Sequence, residues 1–297
     1  MIISEKSPSD KRKEFKEALQ SGKLLQFPGA YNPMVAMLIE QKNFDGVYVS
    51  GAVMANSLGL PDIGMTTLTE VSQMASAIAK VTSLPSIMDI DTGFGETMSV
   101  ARTIKELTYL GMAGCHMEDQ VNPKRCGHLD NKELVSADAM VQKIKAAVEA
   151  KDDENFILIA RTDARGVEGL DKALDRAKAY VDAGADMIFP EAMKDESEFE
   201  AFRKAVDVPL LANMTEFGKS RLLSKSELQN LGYNLVIYPV TTQRLAMHAV
   251  EKGLDTIFEE GSQESLLDEM QTRKRLYEVL HYEDYNAYDS SIYNFKL

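Results

Sequence analysis

Eight short runs rich in aliphatic and β-branched residues recur along the chain, at Leu24–Phe27, Gly46–Val49, Ser86–Ile90, Gly114–Met117, Phe156–Ala160, Asp186–Phe189, Val208–Ala212 and Asn234–Tyr238. Each has strand length and is too short for a helix. Beyond the first two intervals, the sequence between the runs turns helical in period. Ser136 offers an N-cap to a run ending near Val148, and Leu170–Val181 and Glu198–Val206 repeat apolar residues at helical spacing. Gly111, Gly184 and Gly232 each stand just before a strand run, where a left-handed residue ends a helix. Strands alternating with helices predict βαβ units and a parallel sheet, and eight such units predict a closed (β/α)8 barrel. The rival is an open doubly wound sheet, which often carries a glycine-rich phosphate loop after its first strand. Here the first run ends in Pro28-Gly29-Ala30-Tyr31-Asn32-Pro33, which is no such loop.

A barrel of this kind takes about 250 residues, so all 297 residues are read as a single barrel domain, with 263–297 as a helical tail used in oligomerisation. Gln263–His281 is predicted to be one charged amphipathic helix with Leu266, Leu267, Met270, Tyr277 and Leu280 on its apolar side. The tyrosine-rich end that follows fits an inter-subunit contact better than a solvated end. The alternative is packing across the bottom of its own barrel.

Charge narrows the partners. Lys plus Arg is 33 and Asp plus Glu is 46, a net charge of −13, which disfavours nucleic acid and anionic membrane surfaces. Two cysteines exclude a disulfide framework and fit a reducing, cytoplasmic compartment. The opening MIISEKSPSDKRKEF has no apolar core of a secretory signal, and no apolar run is long enough to span a bilayer.

Chemistry in such barrels gathers at the carboxyl ends of the strands. Those ends carry Tyr48 and Ser50, Asp89 and Asp91, Glu118, Arg161 and Asp163, Glu191, Asn213 and Glu216, and Tyr238. Singly, most could cap the next helix. As a set they exceed what a structural barrel requires. In Asp89-Ile90-Asp91 the strand period turns both carboxylates to one side. Two close like charges call for a neutralising cation or proton, and Mg2+ or Mn2+ prefers such oxygen donors. No strand run contains lysine, which argues against a Schiff-base aldolase. The four histidines show no zinc spacing, and no Ser-centred elbow is present. A carboxylate-bound Mg2+ or Mn2+ facing arginines remains, equipment for stabilising the enolate of a 2-oxo acid. Gly51–Pro85 and Asp119–Asn155 hold unusually long loops on the catalytic side. The second contains Lys124-Arg125-Cys126-Gly127-His128, where flanking cations and a histidine predict a stabilised thiolate at Cys126. Tyr48, two residues before Ser50, is placed to receive or relay a proton. Cys115 and His116 read as packed residues.

The stretches YVSGAVMANSLGLPDIG (48–64), MDIDTGFGE (88–96), HMEDQVNPKRCGHLDNK (116–132), ARTDA (160–164), FPEA (189–192), ANMTEFG (212–218), YPVTTQR (238–244) and MQTR (270–273) resemble the isocitrate lyase and phosphoenolpyruvate mutase superfamily in family order. The loop around Cys126 is similar to that of its lyases. The resemblance implies a barrel with its last helix swapped between subunits of a homotetramer. It implies Mg2+ at Asp89 and Asp91 through waters, with Asp62 and Glu118 near the metal shell. The pyruvate half of a substrate would meet Ser50, Gly51, Ala52 and Arg161. The succinate half would meet Gly127, Asn213, Thr215, Arg244 and Arg273, with His128, Glu191 and Met214 bordering the same mouth. Cys126 would be the acid–base thiol. One departure stands out: Ala52-Val53 follows Ser50-Gly51 where many relatives carry more glycine, so loop shape and substrate fit can differ.

Classical isocitrate lyases are longer and commonly read Lys-Lys-Cys-Gly-His where this chain reads Lys-Arg-Cys-Gly-His, so the resemblance implies cleavage of (2S,3R)-2-methylisocitrate to pyruvate and succinate, a step of propionate catabolism, with isocitrate cleavage as the alternative side activity. One methyl separates the substrates, worth about 1–3 kcal/mol in a pocket. A phosphonate mutase or oxaloacetate decarboxylase on the same barrel is the next alternative, and a silent oligomeric scaffold the last.

Overall fold

The computed structural model describes residues 5–293, so the last four residues of the expected tail lie outside the described residues. In chain order the elements are α1 (Pro8–Leu19), β1 (Leu25–Pro28), α2 (Pro33–Gln41), β2 (Val47–Val49), α3 (Gly51–Ser57), α4 (Leu68–Lys80), β3 (Ser86–Asp89), α5 (Thr97–Tyr109), β4 (Gly114–Glu118) and α6 (Ala137–Glu149). Then come β5 (Ile157–Thr162), α7 (Ala164–Val167), α8 (Leu170–Asp182), β6 (Met187–Pro190), α9 (Glu196–Ala205), β7 (Leu211–Asn213), α10 (Lys225–Asn230), β8 (Leu235–Tyr238), α11 (Thr241–Glu260), α12 (Arg273–Val279) and α13 (Tyr282–Ile292). Strands β2 to β6 pair in order and β1 pairs with β8, which pairs with β7, all parallel. Bridges Gly29–Tyr48 and Ile188–Leu210 join the two sheets at both seams, so the ring of eight closes.

All eight sequence runs become strands. The intervals without a clear helical pattern also hold helices. Residues 34–39 of α2 are apolar on every side, which hides the amphipathic period, although Asn32 caps the helix and Pro33 opens it. Thr67 and Glu70 form a capping box at the start of α4. Gly111, Gly184 and Gly232 have φ of 95°, 103° and 79°, as helix-ending residues should.

Alternation along the strands builds two cores. Phe27, Tyr48, Ile87, Ile157, Ile159, Met187, Phe189, Leu211, Leu235 and Ile237 fill the barrel, while Met88, Cys115, Leu158, Ile188, Ala212 and Val236 pack under the helices. Helix α1 plugs the floor: Phe15 and Leu19 join the inner core, and the Phe15 ring lies 5.2 Å from that of Phe27.

The eighth unit departs from the plan. No residue of α11 is buried, and Leu245, Leu254 and Phe258 on it are exposed. Beside β1 and β8 an apolar groove of about 670 Å3 remains open, lined by Val35, Leu38, Ile39, Leu222, Leu223 and Leu245. The tail is not one continuous helix either. A 3-10 turn at Glu264–Glu269 is followed by extended Met270, and His281 at φ 53° separates α12 from α13. Leu266 is buried, but Leu267, Met270, Tyr277 and Leu280 are exposed, so most of the expected apolar stripe faces outward. Arg275 donates to Gln41 at 2.7 Å, which fixes α12 beside the last turn of α2 rather than across the barrel bottom. No helix among the described residues is long and apolar enough to cross a membrane.

Candidate active site

The inward positions that are apolar in the lower barrel turn polar at the strand ends. On β5 the series Ile157, Ile159 ends in Arg161, on β4 Gly114, His116 ends in Glu118, and on β6 Met187, Phe189 runs into Glu191. Asp89 from β3 and Asn213 from β7 complete the layer.

Asp89 and Asp91 do converge, though not by strand period alone. The strand ends at Asp89, and Asp91 has φ 47° with its amide donating to Asp89 Oδ1 at 2.9 Å. Gly51 packs against both carboxylates: a Cβ there would lie 2.8 Å from Asp89 Oδ2 and 3.2 Å from Asp91 Oδ1. Its amide donates to Asp89 Oδ2 at 3.2 Å, and the hydroxyl of buried Ser50 caps nothing. Burial pushes Asp89, Asp91 and Glu118 all upward in pKa, Asp91 to about 6 with help from the Asp89 charge.

Lys124 answers part of this charge. Its ammonium hydrogen-bonds to Asp62 and lies 2.9 Å from Asp91 Oδ1. Despite its burial, the surrounding carboxylates hold its pKa well above the usual lysine value. Even so, Asp91 Oδ1 and both Glu118 carboxylate oxygens are buried without a directed hydrogen bond. Buried, acceptor-only oxygens with raised pKa suit a hard cation. Among the described residues no three His, Cys, Asp or Glu side chains close in on one point. An ion here would therefore be held by few carboxylates and by water, as Mg2+ commonly is.

Arg161 is the hub of the other half. Its Nε donates to Asp163 Oδ2 at 2.9 Å and lies 3.1 Å from Glu118, its Nη2 lies 3.3 Å from Glu191, and its guanidinium stacks on Phe189. Burial alone would raise Glu191, but Arg161 and His128 hold it well below the usual carboxylate range. The 119–135 loop is seated on this hub. A Cβ on Gly127 would lie 2.4 Å from Arg161 Nη2 and 2.5 Å from Glu191 Cγ, so only glycine fits. His128 Nδ1 accepts from the Lys219 amide at 2.9 Å, which leaves the ring hydrogen on Nε2, 3.0 Å from Glu191. Asn213 donates to Glu191 at 3.3 Å, and Thr215 borders Gly218 beside His128.

Cys126 is half-buried at this mouth, but the expected thiolate is reversed. Lys124 turns to Asp62 and Asp91 and the His128 ring turns to Glu191, so burial dominates and pushes the thiol up. A protonated thiol is an acid in waiting rather than a nucleophile. Tyr48 is shifted in the same direction. Its hydroxyl lies 2.7 Å from His116 Nε2, and burial holds the phenol well above its usual pKa, so it can pass a proton on but is no preformed base. Burial lowers His116 to about 3.

Three expected contacts are not brought together. The Met214 side chain points into the layer outside the barrel, where its sulfur accepts from the Leu223 amide. Arg244 is held at the rim by the Glu216 carbonyl and the Phe217 ring. Arg273 lies on α12 beside the floor end of α2, away from the mouth of its own chain. Ala52 lies in the first turn of α3. Sequence reasoning gave no role to Lys132, and took Lys124 for a partner of Cys126, because neighbours in sequence do not reveal which way a loop lysine turns.

A closed parallel barrel with carboxylates and a buried arginine at its mouth is an arrangement this chain shares with a known enzyme family. Residues 15–258 match the profile of the phosphoenolpyruvate phosphomutase family, and the chain belongs to this family, the phosphoenolpyruvate mutase and isocitrate lyase superfamily. Within it, the chain is 59% identical over 287 residues to a probable 2-methylisocitrate lyase 1 of Corynebacterium glutamicum, covering 96% of this chain and 94% of that protein. It is 46% identical to the 2-methylisocitrate lyase of Escherichia coli, over 92% of this chain and 93% of that one. The structure of a phosphonopyruvate hydrolase with oxalate and Mg2+ superposes with a TM-score of 0.87 at 31% identity, covering 96% of this chain and 99% of the other.

Proposed function

We propose that the protein is a lyase that breaks the C2–C3 bond of (2S,3R)-2-methylisocitrate to give pyruvate and succinate, with Mg2+ held at the barrel mouth. The observation that carries this is Cys126-Gly127 seated on Arg161 and Glu191, one step from the carboxylate cluster. Two relatives that align over more than nine-tenths of their own length, at 59% and 46% identity, bear the names probable 2-methylisocitrate lyase and 2-methylisocitrate lyase, which supports this substrate.

Asp89 and Asp91 would hold the ion through water, with Asp62 and Glu118 behind them. The ion would offset the negative charge that gathers on the pyruvyl oxygens. Arg161, pinned by Asp163, Glu118 and Glu191, presents fixed positive charge at the bond to be broken. The Ser50 hydroxyl and Gly51 amide border the pyruvate half, while Gly127, Asn213 and Thr215 border the succinate half. As the C2–C3 bond breaks, its electron pair stays on C3 and the C2 hydroxyl passes its proton, with the Tyr48 hydroxyl as relay, to water at the mouth and becomes the pyruvate carbonyl. The Cys126 thiol then delivers a proton to C3, completing succinate. A purified-protein assay with methylisocitrate and isocitrate side by side, with and without EDTA, tests this. Cleavage of methylisocitrate, faster than of isocitrate and lost with EDTA, is expected; cleavage of neither substrate would refute the reading.

The assembly belongs to the same proposal. The exposed apolar side of α11 and the open groove beside β1 and β8 complement each other. Exchange of α11 between two copies would fill both grooves, and exchange of the tail would bring Arg273 to the mouth of a partner, while Arg244 keeps its place at the rim. The swapped part then begins at Thr241, earlier than the 263–297 tail. Leu254→Glu with Phe258→Glu should reduce a tetramer to smaller species in light scattering; an unchanged mass would oppose the exchange.

A further inference from the structure

Lys132 is almost completely buried, with its side chain 3% exposed, yet no step of the reaction uses it. It comes from the far end of the Cys126 loop and crosses to the barrel. Its ammonium donates to the Gly127 carbonyl and, at 2.7 Å, to Asp163 Oδ1. Asp163 is itself fully buried, and its other oxygen accepts from Arg161 Nε at 2.9 Å. Behind it, Asp119 accepts from the Asp163 amide at 2.9 Å, from Thr162 at 2.8 Å and from Tyr180 at 2.8 Å, which makes the Asp163 mount rigid. One carboxylate thus bridges the substrate-facing arginine and the loop that carries the thiol.

We propose that Lys132 is a positioning residue, the latch that seats Cys126-Gly127 over Arg161 by bridging the Gly127 carbonyl to Asp163. This rests on the proposed role of Cys126. The other ties of the loop tip run through the side chains of Lys124 and His128, through Gln120, which bonds the Arg125 amide and carbonyl, and through the Leu129 amide on the Cys126 carbonyl, and none of them reaches the Gly127 carbonyl. Lys132 alone among the described residues joins that carbonyl to the barrel through a charge-assisted pair. With the latch released, the loop should swing more freely, exposing the thiol and misplacing its proton, while the pocket below keeps its groups.

The test compares wild type with Lys132→Met and Lys132→Arg. In Lys132→Met, Cys126 should react with iodoacetamide roughly ten- to a hundredfold faster, as expected for a lost buried charged hydrogen bond. Cys115, fully buried, should stay unmodified. The kcat should fall about ten- to a hundredfold with KM shifted less than about threefold, the signature of a misplaced acid rather than lost binding. Lys132→Arg should recover part of both. If Lys132→Met folds and both rates match wild type, the latch is refuted. Should it not fold, Lys132→Gln, which keeps a donor for Gly127 but not the charge for Asp163, is read in the same way; failure of both to fold would make Lys132 a core residue and overturn the proposal. The alkylation comparison needs no substrate, so it decides the latch even if wild type cleaves no methylisocitrate, a result that would instead sink the lyase reading.

Discussion

At the floor of the barrel, Lys11 and Arg12 are 3% and 5% exposed, and their donors are used. Lys11 reaches the Ala79 and Thr82 carbonyls at the end of α4, and Arg12 reaches the Met112 and Thr108 carbonyls and Asp153. At the mouth, Asp91 and Glu118 are as deeply buried, and three of their oxygens have no directed partner. The floor cations tie off carbonyls that helix ends leave free, a stability device. The mouth carboxylates repel one another, and Lys124 at 2.9 Å from Asp91 and Arg161 at 3.1 Å from Glu118 offset part of their charge without giving these oxygens a directed hydrogen bond. Buried charge is therefore no guide to function by itself; buried charge left unsatisfied is.

The hardest test of this contrast is Asp91→Asn. It should cut turnover at least about 10²–10³-fold and abolish Mg2+ binding in titration calorimetry, while melting stays level or rises because a repulsive charge is gone. Loss of melting temperature together with activity would erase the difference between the two ends. Cys126→Ser sharpens the mouth further. A hydroxyl is a far weaker acid, so kcat should drop about 10²–10⁴-fold with little change in substrate binding. Near-normal kcat would move the proton donor elsewhere.

The floor predicts the reverse pattern at a smaller scale. Lys11→Met should lower stability by about 1–2 kcal/mol in denaturant unfolding, with activity intact. Burial lowers Lys11 from 10.5 to about 8 in the folded protein. Between about pH 8 and 10.5 the unfolded chain therefore holds a proton that the folded one has released. Stability of wild type relative to Lys11→Met should rise with pH across that window. A flat difference would show that the ammonium is not perturbed by burial.

Much of this was legible beforehand because strand runs, capping residues and helix-ending glycines are local properties. Eight runs placed eight strands, and Gly111, Gly184 and Gly232 ended helices where expected. Helix α2 escaped notice because a helix that is apolar on every side carries no amphipathic period. The one-helix reading of Gln263–His281 failed because hydrophobic spacing cannot see the turn that packs Leu266 against Gly253.

Chain order and side-chain chemistry determined the parallel barrel, the polar layer at its strand ends and the pairing of Asp89 with Asp91. Only the tertiary structure decided how that chemistry is tuned. It turned Lys124 towards Asp62 and Asp91, pushed the Cys126 thiol up by burial, set Lys132 on Asp163, and left every residue of α11 unburied beside an open groove. The reason is physical: propensity and period act over a few residues, whereas the pKa and partner of a buried group depend on the dielectric and on charges brought in from distant parts of the chain.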